Sequence, residues 1–128
     1  MCNYPKNNRL CGKIVIDRMF ARGKRLHISP ILFIYLPETN KKSQVLRSLI
    51  VVPKKKVKLS VKRNAIKRRM IEAYRKNKYL LEEELTTKGN KINIGIVFQA
   101  RKEMPYKVLE QKIILGLKNI KKRYEKDA

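Results

Sequence analysis

The sequence predicts an α+β fold, an α/β sandwich in which a single sheet of about four strands packs against three helices. Apolar residues at every second position predict one strand, formed by Ile92, Ile94, Ile96 and Phe98. Apolar residues three and four apart predict a helix with one core-facing stripe, formed by Ile66, Met70, Ala73 and Tyr74. Because 43% of the 128 residues are hydrophobic, residues 1–128 are expected to build one core and a single domain.

The predicted elements follow one another in the order αβββαβα. Residues 1–10 are expected to be an irregular arm, because Pro5 and Asn7-Asn8 break regular structure. Strands are expected at Leu26–Ile28, Ile31–Leu36, Val45–Val52 and Ile92–Phe98. Helices are expected at Lys13–Arg22, from Ser60 to the late seventies with Leu80–Leu85 as an extension, and from Tyr106 to about Tyr124. Gly23 suits the end of the first helix, and Ser60 suits the N-cap of the second.

Positive charge is the most unusual property of the chain. It carries 33 Lys and Arg against 10 Asp and Glu, which gives a formal net charge of +23. Residues 54–78 alone hold 12 basic residues and 1 acidic residue, almost half of that excess. Because self-repulsion destabilises a compact chain, this charge favours an anionic partner: a nucleic acid, an anionic membrane surface or an acidic protein.

The sequence argues against a membrane-spanning or exported protein. Its longest apolar runs, Ile31–Leu36 and Leu49–Val52, are far shorter than the roughly 20 residues of a spanning helix. No apolar segment typical of a secretory signal follows Met1. Cys2 and Cys11 are expected to be reduced thiols of a cytoplasmic protein.

A side-chain active site is also not indicated. His27 is the single histidine, and Glu82–Glu84 fit a solvated helical face. The sequence has no Gly-rich phosphate loop, no nucleophile elbow and no metal-ligand spacing. We therefore expect no catalytic residue and no metal site on the protein itself.

The basic window favours binding to RNA. Its cations lie on the side of the helix away from the apolar stripe, and several are arginines, whose planar fork binds phosphate with two hydrogen bonds. A folded domain with such a stripe has the electrostatic footprint of a nucleic-acid-binding protein. RNA is favoured over DNA because the helix-turn-helix and zinc-finger patterns are absent. The signature of the RRM is absent as well.

Within the window lies a motif with matching blocks on both sides. The motif is Arg63-Asn64-Ala65-Ile66-Lys67-Arg68, followed by Glu72-Ala73-Tyr74-Arg75. The flanking blocks are Arg9-Leu10, Met19-Phe20-Ala21-Arg22-Gly23, Val52-Pro53-Lys54-Lys55 and Ala100-Arg101-Lys102. Together they resemble the protein component of bacterial ribonuclease P, over about residues 9–120.

The resemblance implies a fold, a reaction and a set of partners. The fold is similar to the second domain of a small-subunit ribosomal protein and contains a left-handed β-α-β crossover. The protein is then the small basic subunit of a ribonucleoprotein whose RNA is the catalyst. This holoenzyme removes the 5′ leader of precursor tRNA endonucleolytically, with Mg²⁺ held mainly by the RNA. The implied partners are the catalytic RNA and precursor tRNA, without membrane or DNA, with the protein as a monomer in a one-to-one complex in the cytoplasm.

Two binding surfaces follow from the same resemblance. The helix carrying the motif is expected to dock on the catalytic RNA through Arg63, Asn64, Lys67, Arg68 and Arg75. A cleft between the first helix and the sheet is expected to receive the single-stranded leader, with Ile16, Phe20, Lys54, Lys55, Arg101 and Lys102 as its contacts. Phe20 has two interpretations, because its ring could stack on a base or pack in the core.

The sequence departs from the family motif at two positions. Ala65 and Ile71 stand where the family usually has arginine. On a helical wheel Ile71 lies among the cations, which predicts an RNA-facing position without its charge. Arg69 lies on another side of the helix, so it is not expected to substitute.

Two other functions are compatible with the charge. A basic ribosomal protein or RNA chaperone would share the positive surface, although the motif blocks do not point to it. A protein bound to an anionic membrane surface ranks last, because the apolar stripes are needed for the core.

Overall fold

A computed structural model describes residues 13–38 and 45–126, in which four helices and four strands are found. The helices are α1 (Lys13–Arg22), α2 (Ser60–Asn77), α3 (Tyr79–Lys88) and α4 (Tyr106–Lys126). The strands are β1 (Lys24–Ile28), β2 (Ile31–Pro37), β3 (Leu46–Val51) and β4 (Ile92–Phe98). The predicted α+β class is confirmed. The predicted arm at residues 1–10, with Arg9-Leu10 and both cysteines, lies outside the described residues.

The four strands form one mixed sheet in the order β1-β2-β4-β3. β1 and β2 are an antiparallel hairpin, and β2 also pairs antiparallel with β4. β3 pairs parallel with β4, so the chain between them must cross from one end of the sheet to the other. α2 and α3 form this crossover, and its left hand stays a prediction of the resemblance.

One face of the sheet is covered by α2, α3 and α4. Alternate residues of β2, β3 and β4 point to this face, and their side chains are almost completely buried. Among them Phe33 is fully buried and lies against Gly116 of α4. The buried stripe of α4 consists of Leu109, Ile113, Leu117 and Ile120. This face therefore contains the main hydrophobic core.

On the opposite face, α1 lies against β2 and β4. A smaller cluster forms beneath it from the buried side chains of Met19, Leu32, Ile34 and Val97. A Cβ atom at Gly95 would lie 2.8 Å from Met19 Cε. The glycine thus allows the methionine, and with it α1, to approach β4 closely.

The connection between β3 and β4 differs from the prediction in two respects. It contains two helices separated by Lys78 rather than one extended helix, which makes four helices in the described residues instead of three. The second of them, α3, ends at Gly89, whose φ of 70° is left-handed, a conformation that favours glycine. Ser60 is the first helical residue rather than the N-cap, a position held by Leu59 without a side-chain hydrogen bond.

The predicted exposure of Ile71 is wrong. Its side chain is only 1% exposed and belongs to the main core. The buried part of α2 is wider than the predicted stripe because the helix packs on both β3 and α4. Ile71 is therefore a core residue rather than an RNA-facing position.

Candidate nucleic-acid interface

Four of the predicted leader contacts follow two neighbouring strands. Lys54 and Lys55 are exposed in the turn after β3, and Arg101 and Lys102 are exposed just after β4. Because β3 and β4 are parallel, with Val51 opposite Val97, both strands end at the same edge of the sheet. The structure therefore brings these four cations to one edge, which we call the cationic edge.

The α1 face of the sheet carries apolar side chains that are incompletely covered, and we refer to the surface between α1 and β3 as the predicted leader cleft. Ile16 and Phe20 are one helical turn apart and only half-buried against the cluster around Met19. Leu49 and Val51 of β3 are half-buried beside the same cluster. These side chains leave apolar surface accessible between α1 and β3. Phe20 packs against this cluster and is partly exposed, and its stacking on a base stays a prediction.

A ring of three polar side chains lies on the same face of the sheet. Arg47 Nη2 donates to Glu38 Oε2 at 2.9 Å, and Arg47 Nε donates to Asn93 Oδ1 at 3.2 Å. Asn93 Nδ2 closes the ring with a 2.9 Å hydrogen bond to Glu38 Oε2. This ring of hydrogen bonds was not predicted from the sequence. Two residues could have indicated it, because Arg47 and Asn93 are polar residues within otherwise apolar strands. Both occupy positions that face away from the main core.

The motif residues of α2 lie next to β3. Asn64 and Lys67, together with Arg63, line an open groove of about 270 Å³ whose other wall is Leu49–Val52. Asn64 and Arg68 are exposed, whereas Lys67 is half-buried. Since Leu49 and Val51 also face the cleft under α1, β3 connects the predicted RNA-docking helix with the predicted leader cleft.

Arg63 is directed toward the loop that precedes its own helix. Its Nη1 atom donates to the carbonyl oxygens of Val57, at 3.1 Å, and Lys58, at 2.8 Å. The side chain is half-buried as a result. Both hydrogens of Nη1 are directed at protein carbonyls, so only the remaining guanidinium donors can reach a phosphate.

Arg75 is exposed on the surface of α2 and forms an ion pair with Glu72. Arg75 Nε and Nη2 donate to the two carboxylate oxygens at 3.2 and 2.5 Å. These hydrogen bonds lower the pKa of the Glu72 carboxyl from its usual value and raise the pKa of the Arg75 guanidinium. A phosphate would therefore have to compete with the Glu72 carboxylate for the Arg75 guanidinium.

Arg69 does not share the surface of Arg68. Its Nη1 atom donates to the carbonyl oxygen of Met104 at 3.1 Å, which ties α2 to the segment before α4. Arg69 therefore lies on another side of the helix, as expected, and the absence of an RNA contact at Arg69 stays a prediction. Ala65, where the family usually has arginine, is half-buried.

The described residues contain neither a metal-binding cluster nor a membrane-spanning helix. In residues 13–38 and 45–126, no three His, Cys, Asp or Glu side chains come together as a metal site. Over the same part of the chain, no helix has both the length and the apolar character needed to cross a membrane.

The fold and the site define a class of protein. It is a small α+β protein with a cationic sheet edge, a half-open apolar cleft and a basic helix, which is the combination expected of a binder of single-stranded and structured nucleic acid. The chain belongs to the ribonuclease P protein family, because the family model described as Ribonuclease P matches residues 4–121.

Curated relatives agree with this assignment. The ribonuclease P protein component of Porphyromonas gingivalis is 35% identical over 80 residues, which cover 62% of this chain and 58% of the relative. This chain therefore spans less than two thirds of the length of that relative. The ribonuclease P protein component of Chlorobaculum tepidum is 34% identical over 104 residues, covering 76% of this chain and 68% of the relative.

A solved structure supports the fold. The RNase P protein of Staphylococcus aureus superposes with a TM-score of 0.69, covering 88% of this chain and 94% of that chain. The sequence identity of the pair is 21%. The likeness therefore concerns the arrangement of helices and strands.

Proposed function

We propose that the chain is the protein subunit of ribonuclease P, which binds the catalytic RNA and the 5′ leader of precursor tRNA. The observation that carries the proposal is the position of β3. On one side it meets Asn64 and Lys67 of the motif helix, and on the other it lies in the cleft under α1. A single strand at the carboxyl ends of β3 and β4 would meet the cationic edge.

Each surface has a distinct part in this function. The cationic edge neutralises leader phosphates without reading their sequence, as basic side chains do for nucleic acids in general. The half-exposed ring of Phe20 offers a stacking face for an unpaired base. Arg68, exposed on α2, is available to bind phosphates of the catalytic RNA with its planar fork.

In the proposed holoenzyme the RNA carries out the chemistry. Water cleaves one phosphodiester bond, leaving a 5′ phosphate on the mature tRNA and a 3′ hydroxyl on the released leader. Mg²⁺ is bound mainly by the RNA and the scissile phosphate. The protein contributes by lowering the electrostatic cost of holding the leader beside a second polyanion. We further propose that it acts as a monomer in a one-to-one complex in the cytoplasm, where precursor tRNA is processed.

Reconstitution tests the proposal. Protein, cognate ribonuclease P RNA and precursor tRNA are combined at a magnesium concentration at which the RNA alone is nearly inactive. We expect the mixture to release the leader and the protein alone to cleave nothing. Equal cleavage by the RNA with and without the protein would refute the proposal. Stable co-sedimentation with ribosomes through a salt wash would instead favour a ribosomal role.

A further inference from the structure

The loop between β3 and α2 carries a dense group of lysines. Lys54, Lys55 and Lys58 are exposed, and Lys56 is half-buried. Four ammonium groups on five consecutive residues repel one another, so this loop needs specific contacts to hold one conformation. It supplies two of the four side chains of the cationic edge.

Within the loop itself, only a few contacts can hold one conformation. The amides of Lys56 and Val57 both donate to the carbonyl oxygen of Pro53, at 3.1 Å each. The side chain of Val57 is 4% exposed and packs in the main core. At the other end, α2 begins after Leu59, which gives no side-chain cap and is itself 62% exposed.

Arg63 closes the loop at the point where the cap is missing. Its Nη1 atom bridges two successive carbonyl oxygens, those of Val57 and Lys58. The first backbone hydrogen bond of α2 is accepted by Leu59, so the guanidinium fixes the two peptide groups that precede Leu59. The positive charge of Arg63 adds to the repulsion between the lysines. The hydrogen bonds to the two carbonyl oxygens must therefore hold the guanidinium in place.

We propose that Arg63 is a positioning residue that fixes the loop of Lys54 and Lys55 for the leader, in addition to any contact of its own with RNA. This inference rests on the proposed function, since it assigns the loop to leader binding. It distinguishes Arg63 from Arg68, which is exposed and lies five residues further along the same helix, about 1.4 turns away. Arg68 forms no hydrogen bond to the described loop. The two arginines of one motif thus have different tasks.

The free protein provides the first test. Hydrogen exchange is measured on the full chain for wild type, Arg63→Ala and Arg68→Ala. We expect the amides of Lys56 and Val57 to exchange about tenfold faster in Arg63→Ala, because the loop opens locally, and to be unchanged in Arg68→Ala. Unchanged exchange in Arg63→Ala would overturn the proposal. If Arg63→Ala does not fold, Arg63→Gln is used, whose shorter side chain cannot bridge both carbonyls, with the same two outcomes.

A double-mutant cycle provides the second test, with affinity of the holoenzyme for precursor tRNA as the readout. We expect Arg63→Ala to weaken binding about tenfold in the wild-type background and less than about twofold when Lys54→Ala and Lys55→Ala are present, because coupled residues are not additive. Arg68→Ala is the control and should cost the same in both backgrounds. An equal cost of Arg63→Ala in both backgrounds would show that Arg63 acts by itself.

The two tests separate the inference from the function on which it rests. If the chain does not support leader removal at all, the proposed function fails, yet hydrogen exchange still decides whether Arg63 orders the loop. If leader removal is normal and the exchange of Lys56 and Val57 does not respond to Arg63, the positioning role alone is wrong.

Discussion

The two faces of the sheet are covered to very different extents. On the face of α2, α3 and α4, side chains such as Phe33 and Ile113 are fully buried. On the face of α1, Phe20, Leu49 and Val51 stay half-buried around a cluster of four buried residues. The difference indicates that the first face contributes more to stability and that the proposed leader-binding surface lies on the second. The first face holds the fold, and the second leaves apolar surface available to a ligand.

Substitutions in the main core should have the largest effect of those considered. Phe33→Ala removes a fully buried ring and should lower the free energy of unfolding by about 3–5 kcal/mol. Leu49→Ala on the other face should cost about 1 kcal/mol, because its side chain is only partly withdrawn from water. Urea denaturation of both variants measures the contrast. Equal losses would contradict the division between the faces.

Truncation of Phe20 tests whether the α1 face binds the leader. In the holoenzyme, Phe20→Ala should weaken precursor tRNA binding about tenfold, the value expected for loss of one stacked base. Mature tRNA has no leader, so its affinity should change less than about twofold. Titrations with the two labelled RNAs give the ratio. Equal losses for both RNAs would assign Phe20 to core packing alone.

The outer surface of α2 belongs to neither face, and Arg68 tests what it binds. Arg68→Ala should weaken binding to the catalytic RNA and reduce the slope of log affinity against log salt by about one unit. Filter binding over a range of salt concentrations measures this slope. Lys118→Ala, an exposed lysine of α4, is the matched control and should leave it unchanged. A normal slope in Arg68→Ala would mean that Arg68 does not contact phosphate.

The smallest effect is expected from substitution of Glu72, the acidic residue on the outer surface of α2. Glu72→Gln removes the carboxylate that holds Arg75, and should raise affinity for the catalytic RNA about twofold, the scale of an exposed ion pair. The salt assay used for Arg68 also detects this gain. In the Arg75→Ala background, Glu72→Gln should raise the affinity for the catalytic RNA by less, because the arginine that Glu72 binds is absent. A loss of affinity would show that the pair positions Arg75 rather than restrains it.

Periodicity made most of the fold predictable. The alternation in β4 and the stripes of α2 and α4 are local patterns, and their bounds lie close to those of the structure. Ile71 was assigned wrongly because a helical wheel shows which residues share a face but not how many partners will cover the helix. The division between α2 and α3 at Lys78 was also missed, since no proline or glycine marks it.

The candidate site was predicted only as a set of residues, and the structure adds the contacts that these residues make. The motif and its flanks indicated Arg63 and Lys54, and the structure brings their segments together. That Arg63 bonds to carbonyls depends on the conformation of the loop, which no spacing encodes. The ring of Glu38, Arg47 and Asn93 joins the residue after β2 to β3 and β4, so it forms only when the strands are paired.

The parallel pairing of β3 with β4 has a consequence for assembly. Two helices separate these strands in the chain, and contacts between distant segments form at a large entropic cost. The cationic edge therefore forms only when β3 and β4 pair, because that pairing brings the cations after both strands to one edge of the sheet. An RNA that binds only this completed arrangement stabilises the native state by mass action. In the proposed complex, folding of this chain and its binding to RNA would be thermodynamically linked.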